Sequence, residues 1–497
     1  GDEGDKGAAG YLLRDGGMPL DNLANTLTVF LGTDVACAQC HDHPFADWTQ
    51  MQFYELASYF GASTTRVGGN YGRGSDLMTN IDEMVTGAGQ DITRLRNGIR
   101  NFVQANSYAV EDMETNKLTL PHDYKYPDGK PGDPVKPKFV MWTAADKSNP
   151  AYKKVSGKDE NLRVAFASWL THPENPRFAM TIANRLWKRA FGSGVAEPVT
   201  NIDEPDASFN PELLKFLAVA MKKLNFDLKE FQRMILYSNA YQAEATTEPI
   251  PMGAPYFFQG PQLRRMTAEQ AWDSYMTLVL GKPEQYQVPY GLTELYGRSI
   301  DLNITNDKLS AQTVLMKYDA YRKMGDKLRA TMGGGLDSVG GDMMMGGDKS
   351  GSKQTKDEDL AMSEELKIPT YNGMQLMRAS ELPQPERGGH FLAEFGQSPR
   401  LLIDGGSKEG SVPQVLTMMN GPAQSMLTDR SSLLFRTMEK VTNPSDKVEA
   451  LFLSVMNRKP TLQEKDLAKR ELASSGEDGY ANIIWALINT REFIFVQ

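Results

Sequence analysis

At 497 residues the chain is too long for one core and implies two or three. Its 40% hydrophobic and 24% charged residues are those of a globular protein; no apolar run approaches the roughly 20 residues that span a bilayer, and two cysteines exclude a disulfide-stapled scaffold. A formal net charge of -9 without a Lys/Arg cluster excludes a nucleic-acid-binding surface, which needs grouped cations to displace counterions from phosphate.

Residues 1–20 are rich in Gly and Asp and form a loose lead-in without an initiating Met, as expected of a processed or truncated chain. Leu23, Leu27, Val29, Phe30 and Leu31 fall largely at helical spacing, so a helix is expected from Asp21, as its cap, to Leu31, with Gly32 ending it. Next comes Cys37-Ala38-Gln39-Cys40-His41, which contains both cysteines in the order that marks covalent c-type haem attachment. Two thiols one turn apart can each add to a vinyl group of one porphyrin, and the following imidazole can ligate the iron.

Beyond the motif, Asp47-Trp48-Thr49-Gln50 opens a second helix carrying Phe53, Leu56, Ala57, Tyr59 and Phe60. Its aromatic face either covers a porphyrin, with Trp48 and Phe45 as the wall, or simply builds core. Gly68 to Gly74 has loop composition, Ile92 to Asn106 suits a helix, and Val110 to Leu120 suits a strand or hairpin. Turn chemistry at residues 128–134 leads to an expected boundary near 145.

From Asp159 helical patterns dominate. Leu162 to Leu170, Phe178 to Phe191, Asn210-Pro211 through Met221, Leu228 to Tyr241 and Met266 to Leu280 each show an apolar stripe. The Gly-, Met- and Ser-rich stretch 332–357 is too poor in branched apolar residues to order itself and is expected to be mobile. Three further helices are expected between Lys447 and Gln497. The expected fold class is mainly α: a multi-helical array with an N-terminal haem-c region and a minor β/loop segment around 108–140. The expected divisions are 1–145 as the haem domain, 146–330 as a helical domain, 331–360 as the flexible loop, and 361–497 as a C-terminal helical part packing on 146–330.

Three chemistries fit the motif. Covalent haem c, with Cys37 and Cys40 as thioether anchors and His41 as axial ligand, agrees with the spacing best. A zinc site built from Cys37, Cys40, His41 and His43 has four donors, but adjacent residues rarely aim at one ion. A disulfide or free-thiol pair is the third. Among the five histidines, His43 is too close to His41 to reach the far face of a porphyrin, and His172 suits a helix end. His390 and His122 remain as second axial ligands, with Met51, Met113 and Met377 as lesser candidates. With none of these bound the iron would be open, and Asp42, His43 and Arg66 would serve as propionate or distal partners. Asp47, Asp203 and Glu204 are expected to be exposed structural carboxylates.

Phe30-Leu31-Gly32, the run Cys37-Ala38-Gln39-Cys40-His41-Asp42-His43-Pro44-Phe45, Trp48-Thr49-Gln50 and Tyr54 together resemble the planctomycete-specific cytochrome domain. The rest resembles its companion, a planctomycete-specific domain of unknown function. That likeness rests on Trp169-Leu170-Thr171-His172-Pro173-Glu174-Asn175-Pro176, Asn184-Arg185-Leu186-Trp187, Phe191-Gly192 and Asn210-Pro211-Glu212-Leu213-Leu214. It continues through His390-Phe391-Leu392, Phe395-Gly396-Gln397-Ser398, Ser411-Val412-Pro413-Gln414, Asn420-Gly421-Pro422 and Arg491-Glu492-Phe493. The resemblance covers nearly the whole chain, implies large exported bacterial proteins with a further cytochrome-like part upstream, and transfers no reaction.

Covalent haem is attached outside the cytoplasm, so a periplasmic or cell-surface protein is expected. Its haem would pass electrons to a redox partner, in connection with oxidation of a carbohydrate or other polymer. The competing expectation is a non-catalytic surface assembly protein, with an oligomer left open, in which haem or a metal such as zinc is structural.

Overall fold

The structure is a computed structural model, and the residues described are 10–12, 18–66, 76–86, 92–105, 108–112, 118–140, 142, 148–152, 161–246, 256–286, 310–331, 369–372, 374–382, 384–398 and 410–496. The expected glycine loop at 68–74, the mobile stretch 332–357 and Met113 lie outside them. The described chain is mainly helical, with three two-stranded antiparallel sheets pairing Ser63–Arg66 with Tyr108–Asp112, Arg264–Arg265 with Phe495–Val496, and Thr370–Tyr371 with Met374–Gln375. Among the described residues no helix is long and apolar enough to cross a membrane.

Local sequence sets most helix ends. Thr49, Thr267, Ser411 and Thr461 each accept the amide three residues on, while the Gln or Glu there returns a bond to the cap amide. Asn161, Asn210 and Asp227 cap the helices Leu162–Leu170, Pro211–Lys223 and Leu228–Leu236. Three expectations are corrected. The first helix, Pro19–Leu31, opens on Pro19, and Asp21 lies in its first turn without capping it. The helix expected to reach Tyr241 stops at Leu236, because the Ser238 hydroxyl donates to the Ile235 carbonyl and accepts the Tyr241 amide, turning the chain. The strand or hairpin expected at 110–120 starts earlier, at Tyr108–Asp112; residues 113–117 lie outside the described residues, and Thr119 forms an isolated bridge to Pro134.

Four apolar clusters hold the array together. The first joins Leu23, Leu27 and Leu31 to Phe53, Leu56 and Tyr59, and takes in Tyr152, Phe166 and Trp169 from beyond residue 145. Its centre is a stack in which Phe139 lies between Tyr59, at 4.5 Å, and Trp169, at 4.9 Å. The second is formed by Phe178–Phe191 against Pro211–Lys223 and Leu228–Leu236. The third, built on Trp272, Tyr275, Phe391, Leu427 and Ile484, unites residues 268–280 with the C-terminal helices. A small fourth cluster packs Asp76–Val85 and Ile92–Ala105 on Ala311–Thr331.

Candidate functional site

The Cys37 to His41 segment lies where the first helix reverses. Gly32 takes a left-handed φ of 58° as C-cap, a conformation costly to any residue with a Cβ. Val35 then enters the core, and Ala36–Gln39 winds one 3₁₀ turn with Ala38 fully buried as its anchor. The amides of Cys40 and His41 both donate to the Cys37 carbonyl, at 3.2 and 3.3 Å. Residues three apart eclipse in a 3₁₀ turn, so the buried Ala38 leaves Cys37 and Cys40 together on the outside. Both thiols are free and exposed.

His41 is exposed, and its Nδ1 lies 2.7 Å from the Asp42 carbonyl. A carbonyl only accepts, so Nδ1 carries the proton of this bond, and among the described residues no donor bonds Nε2. The loop after it is pinned from several sides. The Asp42 amide donates to Tyr126 Oη at 2.7 Å, Asp42 Oδ1 accepts the Gln50 amide at 2.8 Å, and Gln50 Nε2 donates to the Gln39 carbonyl at 3.2 Å. The His43 amide donates to the Trp48 carbonyl at 2.7 Å, while His43 Nδ1 accepts the Phe45 amide at 3.1 Å. His43 is thereby occupied in shaping the loop.

The two expected wall residues are placed differently. Phe45 is 93% exposed, an apolar ring beside the motif that meets the His43 ring edge-on at 6.5 Å, whereas Trp48 belongs to the first core. The Trp48 indole Nε1 donates to Asp203 Oδ2 at 3.1 Å, and Thr33 Oγ1 donates to Asp203 Oδ1 at 3.0 Å. Asp203 is therefore not the exposed carboxylate expected from the sequence: its side chain is 17% accessible. Buried Arg177 donates to the carbonyls of Ile202 and Asp203 and sits 5.5 Å over Trp142, holding the segment in place. The supporting roles of Tyr126, Gln50 and Asp203 were invisible in the sequence, where 84, 11 and 155 residues separate them from Asp42, Gln39 and Trp48. The side chain of Arg66 lies outside the described residues.

The second-ligand candidates are dispersed. His122 is exposed on the loop between Leu120 and Tyr124. His390 lies in the third cluster's shell, with its ring 4.8 Å from Trp272, and is the N-cap of Phe391–Glu394, its Nδ1 accepting the Leu392 amide at 3.2 Å. Burial pushes its pKa below the usual imidazole range, partly offset by the carboxylate of Glu386. Met377 is buried in the same cluster, and Met51 packs on the first. His172 follows the helix Leu162–Leu170 and accepts the Glu174 amide at 3.0 Å. Among the described residues no group of three or more His, Cys, Asp or Glu converges to hold a metal ion, so a zinc site at Cys37, Cys40, His41 and His43 finds no support in the geometry.

Comparison with known families follows the same division. The model of PSCyt2, a protein of unknown function (DUF1549), matches residues 17–65, and that of PSD1, a protein of unknown function (DUF1553), matches residues 162–472. Neither the curated proteins nor the solved structures give a match. The first match spans the opening helix, the Cys37 to His41 turn and the aromatic helix; the second spans the helical array and more than half of the chain. The chain thus belongs to the PSD1 family, and carries ahead of that domain the planctomycete cytochrome-related PSCyt2 domain.

Proposed function

We propose that this protein is an exported c-type haem protein that exchanges electrons with a redox partner at the periplasmic or outer face of the cell. The observation that carries the proposal is the turn at Ala36–Gln39: buried Ala38 turns both free thiols outward, directly before an imidazole whose hydrogen bond leaves Nε2 available. These residues fit a covalently held porphyrin, with Cys37 and Cys40 as thioether anchors and His41 as axial ligand. Bound there, haem would supply one-electron chemistry at its iron.

The chain's own contribution is positional. Ala38 fixes the turn, the Asp42 carbonyl fixes the tautomer and tilt of His41, and Phe45 offers apolar cover on the solvent side. Among the described side chains proposed for the far face, none is favoured by a recorded contact with this turn. Exposure of the motif gives a partner short access, and the helical array supplies further surface for it.

The test is a pyridine haemochrome spectrum of protein made with a periplasmic cytochrome c maturation system. A c-type α-band that survives denaturation is expected, and it should be lost in the double variant Cys37→Ala/Cys40→Ala. An unmodified protein without any α-band would sink the proposal. Reduced spectra with and without carbon monoxide then report whether the sixth position is open, and a measurable reversible potential separates electron exchange from a purely structural group.

A further inference from the structure

Resting on the haem reading, we propose that Asp203 is a positioning residue for His41, acting from the PSD1 domain on the PSCyt2 domain through Trp48. The connection is continuous. The Asp42 carbonyl that accepts His41 Nδ1–H at 2.7 Å shares its peptide group with the His43 amide, which donates at 2.7 Å to the Trp48 carbonyl. Hydrogen bonds at the two ends of one peptide group polarise each other, so the hold on His43 strengthens the acceptor that faces His41. Trp48 in turn is fixed at its indole by Asp203 Oδ2 at 3.1 Å. The other carboxylate oxygen of Asp203 is held by Thr33 Oγ1 at 3.0 Å, just before the motif, so one carboxylate grips the loop from both sides.

The geometry gives this carboxylate little freedom. Arg177, buried at 5%, binds the Ile202 and Asp203 carbonyls, and its Nη2 is 4.0 Å from Asp203 Oδ1. A carboxylate acceptor makes the Trp48 Nε1–H bond to Asp203 a charge-assisted one. An outer partner that strengthens the bond at Nδ1 makes the imidazole a better electron donor at Nε2 and lowers the potential of an iron bound there. The PSD1 domain would thus tune a group it does not touch.

The experiment uses the whole chain and compares the parent with Asp203→Ala, Trp48→Phe, Asp203→Asn and, as a control, Lys215→Ala, which breaks only an exposed ion pair with Asp206. Two quantities are followed: amide exchange at His43, and the midpoint potential at matched haem content. In Asp203→Ala and Trp48→Phe, exchange should accelerate by about tenfold or more, as for loss of one charge-assisted hydrogen bond, and the potential should rise. Asp203→Asn, which keeps an acceptor, should fall between parent and Asp203→Ala, and Lys215→Ala should match the parent. Parent-like exchange and potential in both Asp203→Ala and Trp48→Phe would overturn the inference. If Asp203→Ala does not fold, Trp48→Phe decides alone. A parent without an α-band would instead refute the haem reading, and His43 exchange would still judge the coupling.

Discussion

Ile202 donates its amide to the Gly32 carbonyl at 2.7 Å, and its side chain stands where a Cβ on Gly32 would be, with Cγ1 2.7 Å from that position. The two matched domains therefore meet at a backbone reversal where the left-handed φ and the close approach of Ile202 together favour glycine. Gly32→Ala combines a left-handed φ with a clash and should cost about 2–4 kcal/mol. Urea unfolding checks this; a change below about 0.5 kcal/mol, the range of an ordinary surface substitution, would contradict it.

Two asparagines in the family-like stretches act as loop organisers. Asn175, fully buried, donates to the Trp169 carbonyl at 3.1 Å and accepts the Arg177 amide at 3.0 Å. Asn184, also fully buried, accepts the amides of Val195 and Ala196 at 2.8 and 3.1 Å and donates to the Ala196 carbonyl at 2.8 Å. Truncating either to Ala strands buried backbone groups and should lower stability by about 2–4 kcal/mol. Calorimetry on Asn175→Ala and Asn184→Ala tests both; parent-like melting would show that the loops hold without them.

His390 gives the C-terminal core an acid sensitivity. Burial lowers its folded-state pKa below 6.5, so the unfolded chain takes up the proton first. Its contribution is complete above about pH 6.5 and declines as pH falls from there towards the folded value, where protonation also ends acceptance of the Leu392 amide. Asn at this position can still cap, without titrating. Denaturant midpoints between pH 8 and pH 5 should slope less for His390→Asn than for the parent, and equal slopes would count against the assignment.

Arg458 bridges Glu464 at 2.8 Å and Glu492 at 2.7 Å. Its guanidinium pulls the Glu464 carboxyl down from 4.5 to about 2. A depressed acid stabilises the fold above its unfolded pKa, so this contribution is present above about pH 4.5 and is lost as pH falls through about 2. The pair is partly exposed, which keeps the effect modest. Glu464→Gln should flatten the acid limb of the stability profile between pH 5 and pH 2, and should do so less in high salt.

Features governed by neighbours in sequence were legible before the fold was known. The boundary at Asn210-Pro211 follows from a cap residue whose side chain bonds within its own first turn. The turn at Ala36–Gln39 was equally local, since its hydrogen bonds run between residues three and four apart. Trp48 was ambiguous because an aromatic stripe shows that a face is covered without showing by what; the answer depended on Asp203, far along the chain. His390 was ambiguous for the same reason: a loop histidine before an apolar run suits a ligand or a cap, and Leu392, two residues on, engages its Nδ1. Asp21, with good capping chemistry, lost the helix start to Pro19 two positions earlier, whose fixed φ suits the first turn.

The small sheet that pairs Arg264–Arg265 with Phe495–Val496 bears on how the molecule assembles in time. Its partners at 265 and 495 are separated by nearly half the chain, yet they close onto the same helices that form the third cluster. Ring-closure entropy grows only logarithmically with length, so such a clasp costs little at equilibrium, but contacts this remote form late. The C-terminal core should therefore be the slowest part of the protein to acquire its final shape, well after the locally encoded turn at Cys37 to His41 has taken its own.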